Sequence, residues 1–309
     1  MKGNRMTARL RTRWVRVAAV AGVSAALAAA GCAQLAEKER ELTFRVMPGE
    51  ASWFSGLPDG VVEMDIPVAG REHMHAWWWQ AEQPDAPAVL YLHGSRWNLT
   101  GQLYRIDELH DFGFSVLAID YRGFGRSDGG VPSEDSVYED ARAAFTRLAE
   151  LEPDPGRRYI YGHSLGGAIA IDLASKLSAG DGPPPAHGLI VESTFTTLPD
   201  IARALSYEWL PLQWIISQKF DSIDKIARVR MPVLIVHGDS DRYVPSRFGK
   251  ALFAAARPPK RLLLVEGGTH NNSMRVGREE YRAALDALFG LTGEAAAERV
   301  SSARTLRGH

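Results

Sequence analysis

Short apolar runs recur along this chain, separated by stretches whose apolar residues follow helical spacing. Gly60–Val68 and Met74–Ala81 read as a hairpin that turns near Ala69–Glu72. Six further runs follow: Ala88–His93, Ser115–Asp120, Arg158–His163, Gly188–Glu192, Pro232–His237 and Arg261–Glu266. They are nearly continuous in Val, Ile, Leu and Tyr, the pattern of strands covered on both faces. Helical patterns lie between them at Gln102–Asp111, Ser136–Leu151, Leu165–Leu177, Arg247–Ala256 and Arg278–Phe289. In Ser136–Leu151, for example, Val137, Ala141, Ala144, Phe145 and Leu148 share one face. Such alternation predicts an α/β fold: a mostly parallel eight-stranded sheet, helices on both faces, right-handed crossovers, and an antiparallel hairpin at the front.

The segment 194–230 separates the sixth and seventh strands and is rich in large apolar residues, among them Leu205, Tyr207, Trp209, Trp214, Ile216 and Phe220. It is read as a short lid. Its side chains either pack down onto the domain or line an apolar pocket and touch lipid. Its length excludes a large separate cap domain. With 309 residues, 45% of them hydrophobic, the chain suits one large domain of this kind.

Charge changes the picture at the N-terminus. The net charge is -1, but residues 1–31 carry six basic side chains and no acidic one, which leaves 30 basic against 37 acidic residues elsewhere. An acidic body excludes the phosphate contacts on which nucleic-acid binding rests. The basic segment 1–16 is followed by the uncharged apolar run Val17–Ala30, then Gly31 and Cys32. That is the layout of a secretory signal, and the run is short for a membrane span. Cys32 is the only cysteine, so no internal disulfide forms. Ala-Ala-Ala-Gly-Cys resembles the lipobox of bacterial lipoprotein precursors, although Ala29 stands where Leu is more usual. The resemblance implies lipidation (palmitate) at Cys32 and a tether to an envelope membrane rather than a span across it. Ala33 in place of Asp implies the periplasmic face of the outer membrane in a Gram-negative source. The expected organisation is a signal peptide over 1–31, a linker over 32–54 whose polar residues 33–42 are helix-prone, the α/β domain over 55–290 and a flexible tail over 291–309.

Candidate chemistry sits at the carboxyl ends of the strands, where open α/β sheets place their sites. Residues 162–167 read Gly-His-Ser-Leu-Gly-Gly, closing one strand and opening a helix. The pattern is short, and its place between a buried strand and a helix is what gives it force. There Ser164 is exposed on a strained turn as a nucleophile. A serine hydroxyl needs a base to take its proton. His270, in the loop after the last strand, fits that role, with Asp241 in the preceding loop as the acid that orients the imidazole. Asp239, next to Gly238, is better suited to pinning the turn. The N–H of Leu165 and one N–H of the loop His93–Asn98 would form the oxyanion hole, with Ser95 chosen over Arg96. His93 reads as a loop organiser, and His163 as pointing away from the nucleophile. His73 and His75 read as surface residues, since two ligands do not make a metal site.

Together, His-Gly-Ser-Arg-Trp-Asn, Asp120–Gly129, Gly-His-Ser-Leu-Gly-Gly, His237–Pro245 and Gly267–Asn272 resemble the α/β-hydrolase superfamily over residues 55–290. Glu192–Ala202 and the ending Gly-Thr-His-Asn-Asn look like a short-lid, membrane-associated branch with esterases, acyl-thioesterases and serine aminopeptidase-like proteins. That branch often has Asn-Ala-Gly-Asn where this chain has Ser95-Arg96-Trp97-Asn98, which sets its acyl pocket apart. The resemblance implies a serine hydrolase that cleaves an ester, thioester or lipid with an apolar acyl group and requires no cofactor or metal. An aminopeptidase would want an acidic anchor, for which Glu192 is the candidate. A non-catalytic envelope binding protein would not need the intact Ser, Asp and His set.

Overall fold

The computed structural model describes residues 30–68, 70–205, 213 and 216–291. Nearly all of the expected signal segment and tail, and Tyr207, Trp209 and Trp214 of the expected lid, lie outside the described residues. Eight strands form one sheet: β1 (Val61–Pro67), β2 (His73–Trp79), β3 (Ala88–Leu92), β4 (Ser115–Ile119), β5 (Arg158–His163), β6 (Gly188–Glu192), β7 (Val233–Gly238) and β8 (Lys260–Val265). Their order across the sheet is β1-β2-β4-β3-β5-β6-β7-β8. The β1–β2 and β2–β4 pairs are antiparallel and the rest parallel, as the sequence pattern predicts. Successive strands run outward in one direction from β3 to β4 and in the other from β5 to β8. The order therefore reverses between β3 and β5, and a crevice opens above their carboxyl ends.

Two hydrophobic cores follow from the period-2 alternation of side chains along each strand. Leu90, Leu92, Leu117, Ile119 and Ile160 face one side, and Val89, Tyr91, Val116, Ala118 and Tyr161 face the other. The first side is covered by α3 (Glu134–Leu151), α4 (Leu165–Leu177) and α7 (Arg247–Ala255), the second by α2 (Leu99–Asp111) and α9 (Arg278–Phe289). Shorter helices are α5 (Leu198–Ala204), α6 (Ser222–Ile226) and α8 (Ser273–Val276). Local capping sets the starts of α2 and α3 earlier than apolar spacing alone marks them. The Asn98 side chain accepts the Thr100 N–H at the start of α2, and Ser133 with Ser136 forms a capping box before α3.

Three expectations need correction. β8 is an edge strand with only Val265 buried, not a strand covered on both faces, because no further strand among the described residues pairs with it. His75 is buried rather than on the surface. Its Nε2 lies 3.0 Å from Glu63 Oε1 and its ring meets Trp77 edge-on, because the loop after β4 covers this part of β2. His73 is exposed, as read. The third correction concerns the linker. Residues 30–44 form a helix, α1, in keeping with the helix-prone reading of 33–42, but the chain after it packs on the body rather than crossing solvent. Phe44 is fully buried, edge-on to both Phe124 and Phe220, where a linker residue would stand in water. The polar surface of α1 hides this contact in the sequence, since one aromatic anchor carries it.

Phe44→Ala is expected to cost about 3–5 kcal/mol in chemical denaturation, the usual loss for a buried Phe. A linker residue would give a change near zero.

Candidate active site

Ser164 follows β5 directly, with φ 54° and ψ -119°, a backbone conformation that residues other than glycine rarely adopt. The neighbouring glycines are dictated by sterics. A Cβ on Gly162 would lie 2.2 Å from the Gly166 carbonyl oxygen, and one on Gly166 2.1 Å from that of Leu92. The turn is held from β6 and the residues after it. The Ser164 N–H donates to the Glu192 carbonyl at 2.9 Å, and Thr194 Oγ1 donates to the Ser164 carbonyl at 2.8 Å. Thr194 was not singled out in the sequence; only the β6 neighbour relation brings it here. The strain thus raises the Ser164 hydroxyl above the sheet, at the amino end of α4.

The structure brings the three expected side chains together. His270 Nε2 lies 3.1 Å from Ser164 Oγ, and His270 Nδ1 lies 2.8 Å from Asp241 Oδ2. With Nδ1–H donating to the carboxylate, Nε2 is free to accept the serine proton. The Asp241 carboxyl is fully covered, and Oδ1 accepts the N–H groups of Tyr243 and Val244. Burial pushes this carboxyl up, but the His270 hydrogen bond and charge, with the Val244 N–H, hold it below the usual carboxylate value. Asp239 pins the turn, though across loops rather than to its own backbone: Oδ1 accepts the Gly267 N–H at 2.9 Å. The Asp239 and Ser240 N–H groups donate to Val265 and Gly268, so the acid and base loops are joined along their length.

His163 has a part that sequence reasoning missed. Its Nε2 donates to the His270 carbonyl at 2.8 Å and so fixes the backbone that carries the base. Burial, the Arg105 guanidinium and the His270 ring hold it well below the usual imidazole value, which keeps it a neutral donor. His93 is buried, with Nδ1 donating to the Gly94 carbonyl at 2.6 Å. Gly94 packs against the nucleophile: a Cβ there would lie 3.2 Å from Ser164 Cβ. Arg96, the rival oxyanion donor, is committed elsewhere, because its N–H donates to the Phe44 carbonyl at 2.8 Å. The N–H groups of Ser95 and Leu165 donate to no other backbone group among the described residues. Glu192 does not open into the site. It is fully buried, accepts from Tyr161 Oη at 2.9 Å and faces Arg105 at 3.7 Å. Among the described residues, no three His, Cys, Asp or Glu side chains gather as metal ligands would.

A cleft of about 830 Å³ opens over Ser164 and His270. Phe195, Leu198 and Ile201 of the lid region line its wall, whereas Phe220 is buried in the core, so the lid divides between both expected roles. α1 forms part of another wall through Leu35, Glu39 and Leu42. Around the same cleft stand six of the most exposed large apolar side chains among the described residues: Leu35, Leu42, Trp53, Tyr104, Leu205 and Tyr243.

Comparison with known proteins adds the following. Residues 83–223 match the family described as "Serine aminopeptidase, S33". The chain is 37% identical over 222 residues to the uncharacterized protein Rv2307c of Mycobacterium tuberculosis, covering 71% of this chain and 75% of that one. It is 34% identical over 203 residues to the lysophosphatidylserine lipase ABHD12 of Danio rerio, covering 60% of this chain and 51% of the lipase, about half its length. Among solved structures, the Pyrococcus furiosus esterase Pf2001 superposes with a TM-score of 0.62 at 20% identity, over 79% of this chain and 98% of the esterase.

The lowered Asp241 carboxyl makes a pH-dependent contribution to stability. A carboxylate held below its unfolded value stabilises the fold above the ordinary carboxylate range and loses that contribution as pH falls through the lowered folded value. Asp241→Asn is therefore expected to destabilise the protein most near about pH 7 and least near about pH 3. Denaturant titrations of both proteins across that range check it.

Proposed function

Because this chain belongs to the α/β-hydrolase superfamily, in one family with the Mycobacterium tuberculosis relative, we propose that it is a serine hydrolase acting on an ester or thioester with an apolar acyl group. The observation that carries this reading is the continuous Ser164–His270–Asp241 hydrogen-bond chain at the floor of an apolar cleft. Ser164 Oγ attacks the carbonyl carbon while His270 Nε2 takes its proton. The tetrahedral oxyanion sits on the N–H groups of Leu165 and Ser95. His270 then protonates the leaving oxygen or sulfur, the C–O or C–S bond breaks, and the acyl group stays on Ser164. Water, deprotonated by the same imidazole, releases the acid and restores the serine.

Two features support an amphiphilic substrate with one acyl chain. The cleft wall is apolar, and its rim carries exposed aromatic and aliphatic side chains suited to a lipid surface. The name of the similar lysophosphatidylserine lipases points the same way. The aminopeptidase reading finds no free acidic anchor at Glu192, which is buried behind the nucleophile, nor at Glu39, whose carboxylate accepts the backbone N–H groups of Ser217 and Gln218. The reading extends to location: Cys32, exposed in the first turns of α1, is the proposed lipid attachment point, placing the enzyme on the periplasmic face of the outer membrane.

A fluorophosphonate probe is expected to label Ser164, and Ser164→Ala to abolish labelling. Labelling that persists at another residue rejects the assignment. In a panel of p-nitrophenyl esters of rising chain length, an acyl thioester and an aminoacyl anilide, kcat/KM is expected to favour the longer acyl groups. Preference for the anilide would establish a peptidase instead. Cys32→Ser is expected to move the protein from the membrane to the soluble fraction, and an unchanged distribution would count against lipidation.

A further inference from the structure

The oxyanion loop is built on residues that precede the sheet. Arg96 has φ 87°, left-handed backbone that an arginine rarely adopts. Both of its backbone groups are held by the segment that leaves α1: its N–H donates to the Phe44 carbonyl at 2.8 Å, and its carbonyl accepts the Met47 N–H at 3.0 Å. The contacts continue in register. Asn98 Nδ2 donates to the Gly49 carbonyl at 2.7 Å, and the Ala51 N–H donates to Thr100 Oγ1 at 2.9 Å. Trp53 then meets Trp97 edge-on, ring centres 4.8 Å apart. Residues 44–53 thus run beside residues 96–100 and grip them at nearly every step, while Phe44 anchors the segment in the core.

This arrangement decides which N–H of the loop stays free. The loop approaches Ser164 at Gly94, so Ser95 and Arg96 are the nearest donors with side chains. With the Arg96 N–H tied to Phe44, the loop offers the Ser95 N–H. We propose that residues 44–53 are a positioning strap for the oxyanion hole: by holding Arg96 in its left-handed conformation they aim the Ser95 N–H at the developing oxyanion. The proposal rests on the serine-hydrolase reading above. The strap touches no reacting atom and acts through Ser95.

The strap should therefore govern kcat rather than KM, since the oxyanion exists only in the transition state. The test uses the full chain and the variant Thr100→Val, which removes the acceptor of the Ala51 N–H and lies outside the cleft lining. With p-nitrophenyl butyrate, kcat is expected to fall about 10- to 100-fold, the scale of a misplaced catalytic group, while KM moves less than about threefold. Affinity for a trifluoromethyl ketone, which forms a tetrahedral oxyanion adduct on the serine, should fall by the same factor as kcat/KM. The pH at half-maximal kcat/KM should stay at the wild-type value, because the imidazole is untouched. Thr100→Ser, which keeps the accepting hydroxyl, should restore most of the rate. In wild-type protein the Arg96 amide should exchange with solvent much more slowly than the Ser95 amide, and the variant should lose that protection. A folded variant with wild-type kcat, or one changed in KM alone, overturns the proposal, as does a wild-type Arg96 amide that exchanges as fast as Ser95. If Thr100→Val does not fold, Thr100→Ala is measured in the same way. Wild-type protein that neither labels at Ser164 nor turns over the ester would instead reject the catalytic reading itself.

Discussion

Everything at this site depends on one close approach: the turn after β5 pressed against the end of β3. Gly166 lies where any side chain would enter the carbonyl of Leu92, and Gly162 where any side chain would enter the carbonyl of Gly166. Only a turn without Cβ atoms at those places can be this sharp, and only a turn this sharp puts Ser164 into its strained conformation above the sheet. Strain of this kind persists because neighbours over-determine it. Here β6 and Thr194 supply those neighbours, one taking the Ser164 N–H and the other binding its carbonyl.

The sheet order puts the rest of the machinery within reach. The direction of winding reverses between β3 and β5, so the loops after both strands face the same crevice. The loops after β7 and β8 reach it from the far side, joined to each other by Asp239 and by backbone hydrogen bonds. Asp241 gains its orientation from the Tyr243 and Val244 N–H groups of its own loop, and His270 from two directions, the carboxylate on one ring nitrogen and His163 on its carbonyl. Behind the turn, Glu192 and Arg105 form a buried pair supported by the hydroxyls of Tyr161 and Tyr281. Such a pair adds little net stability, yet losing one partner would leave a bare charge beside the strand that holds the nucleophile.

The N-terminal segment changes how the site is bounded. α1 is both a wall of the cleft and, through Glu39, a clasp on the lid backbone at Ser217 and Gln218. The stretch that follows α1 holds residues 96–100 by backbone and side-chain hydrogen bonds. Among the described residues, an apolar rim made from α1, the segment after it, α2, the lid and the loop after β7 borders the cleft. Catalysis and substrate access therefore share parts with the segment nearest to Cys32.

What could be read from the sequence was what short-range physics determines. Unbroken apolar runs became strands because burial on two faces demands them, and the helix at Leu165–Leu177 kept its expected bounds. Ser164, Asp241 and His270 were legible because a short glycine-flanked motif falls between a buried strand and a helix, and two loops follow later buried runs in the order this fold uses. The tertiary structure alone decided relations between distant residues. Nothing near His75 announces that a loop will cover it, and nothing in the polar surface of α1 announces that Phe44 will anchor it in the core. Whether Ser95 or Arg96 keeps a free N–H depends on a carbonyl about fifty residues earlier in the chain. Periodicity records which way a side chain faces, but a hydrogen bond between remote backbones depends only on where folding brings them.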